Sequence, residues 1–103
     1  MNHLFLKCVW RPGSTAAYLS CFDAFATANL EAVGWEPAAE LEARSCHLLA
    51  GMLLARIDGK SPVEYISASQ EKDRVRRFAG KYLLQPATRL GEMRNAWARE
   101  WQA

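Results

Sequence analysis

Several shortages bound what this 103-residue chain can be. Long apolar runs are missing. The longest, "LLAGMLLA" at residues 48–55, is far short of the roughly 20 residues a membrane-spanning helix needs. Cysteines are few, and their number is odd: Cys8, Cys21 and Cys46, with no Cys-x-x-Cys pair. They read as reduced thiols in a cytoplasm. Cys21 and Cys46 fall at apolar helical positions, where free cysteine acts as a small hydrophobe. The opening "MNHLFLKCVW" has neither the basic start nor the small-residue cleavage site of a secretory leader. The two histidines, His3 and His47, are isolated, without metal-ligand spacing to cysteine or carboxylate. Cys46 and His47 are neighbours, so on a helix they point about 100° apart, wrong for a thiolate pair. No Ser/His/Asp arrangement is visible, and no strand-like alternation, internal repeat or low-complexity segment.

What is there is globular. Half the residues are hydrophobic and 23% are charged. The length suits a single domain, residues 1–103. The net charge of +2 does not imply nucleic acid, but it is unevenly spread. Residues 23–46 carry −4 and residues 70–103 carry +4. The two segments either attract each other within the fold or face different partners.

The periodicities predict an all-α fold, a compact bundle of about five helices joined by short turns. "NHLFLKCVW" is a helix or a buried strand, ended by Arg11-Pro12-Gly13. Ser14 is placed to cap a second helix running to about Val33, with Tyr18, Cys21, Phe22, Phe25, Ala28 and Ala32 on its apolar face. Gly34 is placed as a left-handed stop. Pro37 opens a third helix in its first turn. There Leu41, Ser45, Leu48, Leu49, Met52, Leu53 and Arg56 share a face. Residues 48–55 are apolar nearly all round, which puts this helix at the centre of the core. A fourth helix starts at Ser67 or Ser69 and carries a Val75, Phe78, Ala79, Tyr82, Leu83 stripe. Thr88 is the expected cap of a last helix that aligns Leu90, Met93, Trp97 and Trp101.

Gly59-Lys60-Ser61 spells the tail of a phosphate-binding P-loop. The full motif needs a glycine five residues earlier, so that successive N–H groups curl around phosphate. Leu54 stands there, inside an apolar helix, and Gly51 is three residues too early. The motif is rejected. The capping reading is better. Gly59 ends the long helix near the left-handed position, Ser61 is an N-cap, Pro62 a first-turn proline, and Ser61-x-x-Glu64 a capping box whose serine contributes about 1 kcal/mol. Arg56, Asp58, Lys60 and Glu64 put four charges around this corner. They form either a solvated turn with local ion pairs or the polar rim of a substrate pocket. The basic run 72–81 flanks an ordinary apolar stripe, and the helix after it carries tryptophans rather than base-reading side chains. Nucleic-acid binding is therefore disfavoured.

Four stretches together resemble a known family: "NHLFLKCVW", "YLSCFDAFATANLEAVGWE", "LEARSCHLLAGMLLARIDGKSPVEYI" and "DRVRRFAGKYLLQPATRLGEMRNAW". They are similar to the C-terminal helical part of the aminoglycoside-phosphotransferase and choline-kinase-like small-molecule kinases. The resemblance covers nearly the whole chain. It implies that the catalytic parts lie upstream: a nucleotide-binding lysine, a His-x-Asp-x-x-x-x-Asn loop and a metal-binding aspartate. ATP and magnesium belong to those parts. Neither histidine here is followed two residues later by aspartate, since Phe5 and Leu49 stand there. No catalytic, cofactor or metal residue carries over. The implied molecule is a non-catalytic C-terminal fragment or remnant, or the end of an enzyme whose start lies further upstream. A substrate-pocket rim at Arg56, Asp58, Lys60 and Glu64 and self-association through exposed apolar helix faces are the accompanying expectations. A stand-alone helical interaction module, docking through Arg74, Arg76 and Arg77, is the alternative.

Overall fold

The computed structural model describes residues 1–59 and 62–101. Five α-helices follow in order: α1 (Asn2–Trp10), α2 (Thr15–Ala32), α3 (Ala38–Asp58), α4 (Ser69–Leu84) and α5 (Leu90–Trp101). A 3-10 turn at Pro12–Ser14 joins the first two, and no strand occurs among the described residues. The radius of gyration is 13.3 Å, close to the ~13 Å of a well-packed chain of this length. The all-α expectation holds.

The first segment is helix rather than strand. Phe5, Leu6, Cys8 and Val9 are buried, spaced three and four apart along one side. Pro12 cannot donate the next helical hydrogen bond, and Arg11 leaves the helical region at φ −131°, ψ 77°. The α4 and α5 stripes match their sequence reading. Val75, Phe78, Ala79 and Tyr82 are buried on α4, with Leu83 partly covered. Leu90, Met93, Trp97 and Trp101 are buried on α5. The most extensive helix pair is α3 against α4, followed by α1 against α2.

Two faces differ from expectation. α2 buries Thr15, Leu19, Phe22 and Ala26, whereas Cys21 and Phe25 are exposed. The predicted face is turned by about one residue, with Phe22 common to both. The cause lies in the segment "AAYLSCF", which is apolar on several sides and offers two stripes of equal spacing. α3 buries Cys46, Leu49, Ala50, Leu53 and Ile57 but leaves Leu48 65% and Met52 40% exposed. It is therefore not enclosed all round.

The helix ends also need correction. No glycine has positive φ among the described residues. Gly34 and Gly59 are thus not left-handed stops. Gly59 is extended at φ −81°, ψ −172°, and its N–H donates to the Ala55 carbonyl. A Cβ on Gly59 would run into that same carbonyl. Glycine is needed here for close approach rather than for handedness. Pro37 precedes α3 rather than entering its first turn, and its carbonyl accepts the Leu41 N–H. Ser14 stands at the α2 N-cap without a side-chain bond. The neighbouring Thr15 hydroxyl instead donates to the Pro12 carbonyl at 2.7 Å.

The Ser61 capping box falls on Ser61, which with Lys60 lies outside the described residues. Beyond it no helix starts at Pro62. Residues 62–68 are non-helical, with a turn at Glu64 and Tyr65, and α4 begins only at Ser69. Tertiary anchoring overrides the local signal. Val63 and Ile66 are buried in the core, and the Val63 N–H donates back to the Arg56 carbonyl at 2.9 Å.

Thr88 likewise does not cap α5, which begins at Leu90. The Leu90 N–H donates to a carboxylate oxygen of Glu42, on α3, at 2.8 Å. A carboxylate at a helix N-terminus satisfies an orphan donor and meets the positive end of the helix dipole. Asp23 on α2 pairs with Arg94 on α5 at 3.1 Å. The acidic and basic segments therefore attract each other within the fold. Replacing Glu42 by Ala is expected to cost about 1 kcal/mol in urea denaturation. An unchanged midpoint would show that this long-range cap carries no stability.

Candidate functional site

The charged corner after α3 is organised by ion pairs. Arg76, on α4, donates to both carboxylate oxygens of Asp58, at 2.8 to 3.1 Å. It also reaches Asp73, one turn away, at 2.5 Å. These hydrogen bonds hold the Asp58 carboxyl below its ordinary range and raise the Arg76 guanidinium. The Arg56 Nε and the Tyr65 hydroxyl are enclosed without a hydrogen-bond partner. Burial pushes the Tyr65 hydroxyl pKa up, partly offset by Arg56. Glu64 is exposed, and Lys60 lies outside the described residues. Arg56, Asp58 and Glu64 line none of the three hollows described below.

A depressed carboxylate such as Asp58 contributes stability above its unfolded pKa of 3.8 and loses it as pH falls through the lower folded value. Arg76→Ala is thus expected to lower the urea midpoint slightly at pH 7 and not at all well below pH 3. A difference that persists in acid would assign the effect to packing of the Arg76 stem instead.

A hollow lies elsewhere. A cleft of about 300 Å³ opens between α4 and α5, lined by Arg74, Arg77 and Lys81 from one helix and Arg99 and Glu100 from the other. Phe78, Tyr82 and Ala96 complete its walls. Arg74 is committed internally. It donates to the Glu100 side chain at 3.1 Å and to the Glu100 carbonyl, and its guanidinium lies 4.0 Å over the Trp101 ring. The interaction-module reading named Arg74, Arg76 and Arg77 as a docking face. Two of those three are thus engaged within the fold.

A smaller hollow of about 150 Å³ sits where α1 begins against α3, lined by Met1, Asn2, Ser45, Leu48, Leu49 and Met52. It is mainly apolar. Asn2 Nδ2 is enclosed there without a partner. A third, of about 290 Å³, lies beside Asp23 and Glu42, whose carboxylates already hold Arg94 and the α5 terminus. No cluster of three or more His, Cys, Asp or Glu able to hold a metal occurs among the described residues. No described helix is long and apolar enough to cross a membrane.

No family model, curated protein or solved structure matches this chain.

Sequence reasoning flagged Arg74, Arg77 and Lys81 as part of a basic run but did not join them to Arg99. The signal was available in part. Positions 74, 77 and 81 repeat at three and four, one edge of a helix. Arg99 lies between Trp97 and Trp101 in sequence, beside the buried stripe that docks α5 on α4.

Proposed function

We propose that this chain is the non-catalytic helical part of a small-molecule kinase of the aminoglycoside-phosphotransferase and choline-kinase kind. It serves as a scaffold on which a catalytic portion packs. One observation carries the reading beyond the residues quoted for the resemblance. The apolar hollow beside α1, with Leu48 and Met52 exposed at its edge, supplies a surface on which a catalytic portion would pack. Phosphoryl transfer needs a nucleotide-binding lysine, a catalytic-loop aspartate and metal ligands brought together. The chain offers no such set, so ATP and magnesium belong to the catalytic portion.

The test begins with the DNA upstream, where an open frame encoding a His-x-Asp-x-x-x-x-Asn loop is expected for the scaffold reading. In the longer protein, Met52 should oxidise several-fold more slowly than in the isolated chain. Equal rates would overturn the packing proposal. The isolated chain should show no ATP turnover, and magnesium-dependent phosphorylation by it would overturn the non-catalytic assignment. The same exposed edge predicts self-association of the isolated chain in light scattering, relieved by Leu48→Lys. A strictly monomeric species at high concentration would sink that expectation.

A further inference from the structure

We propose that the cleft between α4 and α5 binds a small, multiply charged phosphate compound, with Arg77, Lys81 and Arg99 as its oxyanion partners. The inference holds whether or not the scaffold reading does. It rests on how charge is distributed around one hollow. Four cations and one carboxylate line the cleft. Glu100 is taken by Arg74, so the excess positive charge belongs to the other three. Among the described residues, none of those three has a carboxylate within salt-bridge distance.

Like charges gathered on one concavity focus a positive potential there and draw anions into it. Arg44, Arg74, Arg76 and Arg94 each meet an acidic side chain. Among the described residues Arg11, Arg56 and Arg89 do not, but none of them lines the cleft. Of the three hollows, this one alone is lined by cationic side chains. The three free cations come from two helices, which lets them approach an anion from opposite sides. Two are arginines, whose planar forks match phosphate oxygens, and the third is a lysine point charge. The walls supply rigidity. Phe78 and Tyr82 are buried, and the Lys81 ammonium lies 5.3 Å from the Tyr82 ring centre.

Size and shape select among phosphates. A volume of about 300 Å³ is at the lower end of small-molecule sites. Three charges match a compound with two or more phosphate groups. A nucleic-acid strand would require a longer basic track. Here Arg74 and Arg76, the residues that would extend it along α4, are neutralised by Glu100, Asp58 and Asp73.

The test is calorimetric titration of the purified full chain with inorganic pyrophosphate in low-salt buffer. Saturable binding at one site per chain is expected. Arg77→Ala and Arg99→Ala should each weaken it about tenfold. Arg77→Lys, which keeps the charge and loses the fork, should fall between. Arg89→Ala removes one exposed cation outside the cleft and should leave binding unchanged. Circular dichroism checks that each variant stays helical, as expected for exposed positions. Absence of saturable binding overturns the proposal, as does an Arg89→Ala effect equal to that of Arg77→Ala. Tighter binding of a short single-stranded oligonucleotide than of pyrophosphate also overturns it, and assigns the face to nucleic acid.

Discussion

Replacing Trp97 by Ala is expected to cost about 3–5 kcal/mol of folding stability, the range for deleting a buried aromatic side chain. Trp97 is fully buried and sits at the junction of three helices. Its ring stacks on Phe5 of α1, with centroids 4.8 Å apart and planes 15° from parallel. It meets Phe78 of α4 edge to face, at 4.8 Å and 85°. Trp101, one turn further along α5, lies 5.2 Å away. Both geometries are those aromatic pairs prefer, and each adds to the area term. A domain of this size has about 5–15 kcal/mol in all. The variant should therefore lose a large share of its stability. Urea denaturation measures it. Trp35→Ala is the control: Trp35 is 81% exposed, and its removal should change stability by less than about 0.5 kcal/mol. Equal costs for the two would mean that the aromatic junction is not the keystone of the core.

Cysteine labelling should separate the three thiols by orders of magnitude. Cys21 is exposed and should react with an alkylating reagent in the native protein as a free thiol does. Cys8 and Cys46 are buried, and burial raises both pKa values, that of Cys46 to about 11. The Cys8 thiol is further tied to the Leu4 carbonyl at 3.3 Å. Their reaction has to wait for opening of the fold. With a stability of at least 5 kcal/mol, the protection factor is about 10³ or more. One fast thiol in native conditions and three in denaturant is the expected count. Slow labelling at Cys21 would return α2 to the face its sequence suggested, and fast labelling at Cys46 would remove that thiol from the core.

That experiment bears on what the sequence could convey. α4 and α5 were legible because charge marks their outer faces. Lys72, Arg76 and Arg77 leave only one side for Val75, Phe78 and Tyr82. α2 was not legible to the same degree. Ala, Tyr, Leu, Cys and Phe surround its first turns, and hydrophobicity alone does not choose between Leu19 and Cys21. The contact with α1 makes that choice. The Glu42 cap on Leu90 spans 48 residues, so no local pattern announces it. The turn after α3 went wrong for a related reason. Ser-Pro-Val-Glu is a strong local start signal, yet Val63 and Ile66 are held in the core as an irregular segment. Of the charged corner expected at Arg56, Asp58, Lys60 and Glu64, Asp58 pairs with Arg76 of α4 rather than with a neighbour in that turn. Which carboxylate Arg76 takes was settled by the α3–α4 packing. The cleft residues were visible singly, and only the docking of α5 on α4 gathers them.

The Phe5–Trp97 stack joins the earliest helix to the latest. A ribosome makes α1 first and α5 last of the five. At about 5–20 residues per second, Phe5 waits roughly 5–20 s for the Trp97 ring. α2 covers part of α1 early, through the Phe5–Phe22 contact at 4.7 Å, but the central stack is completed only when Trp97 emerges. Closure of the core is therefore a late step in the production of these helices.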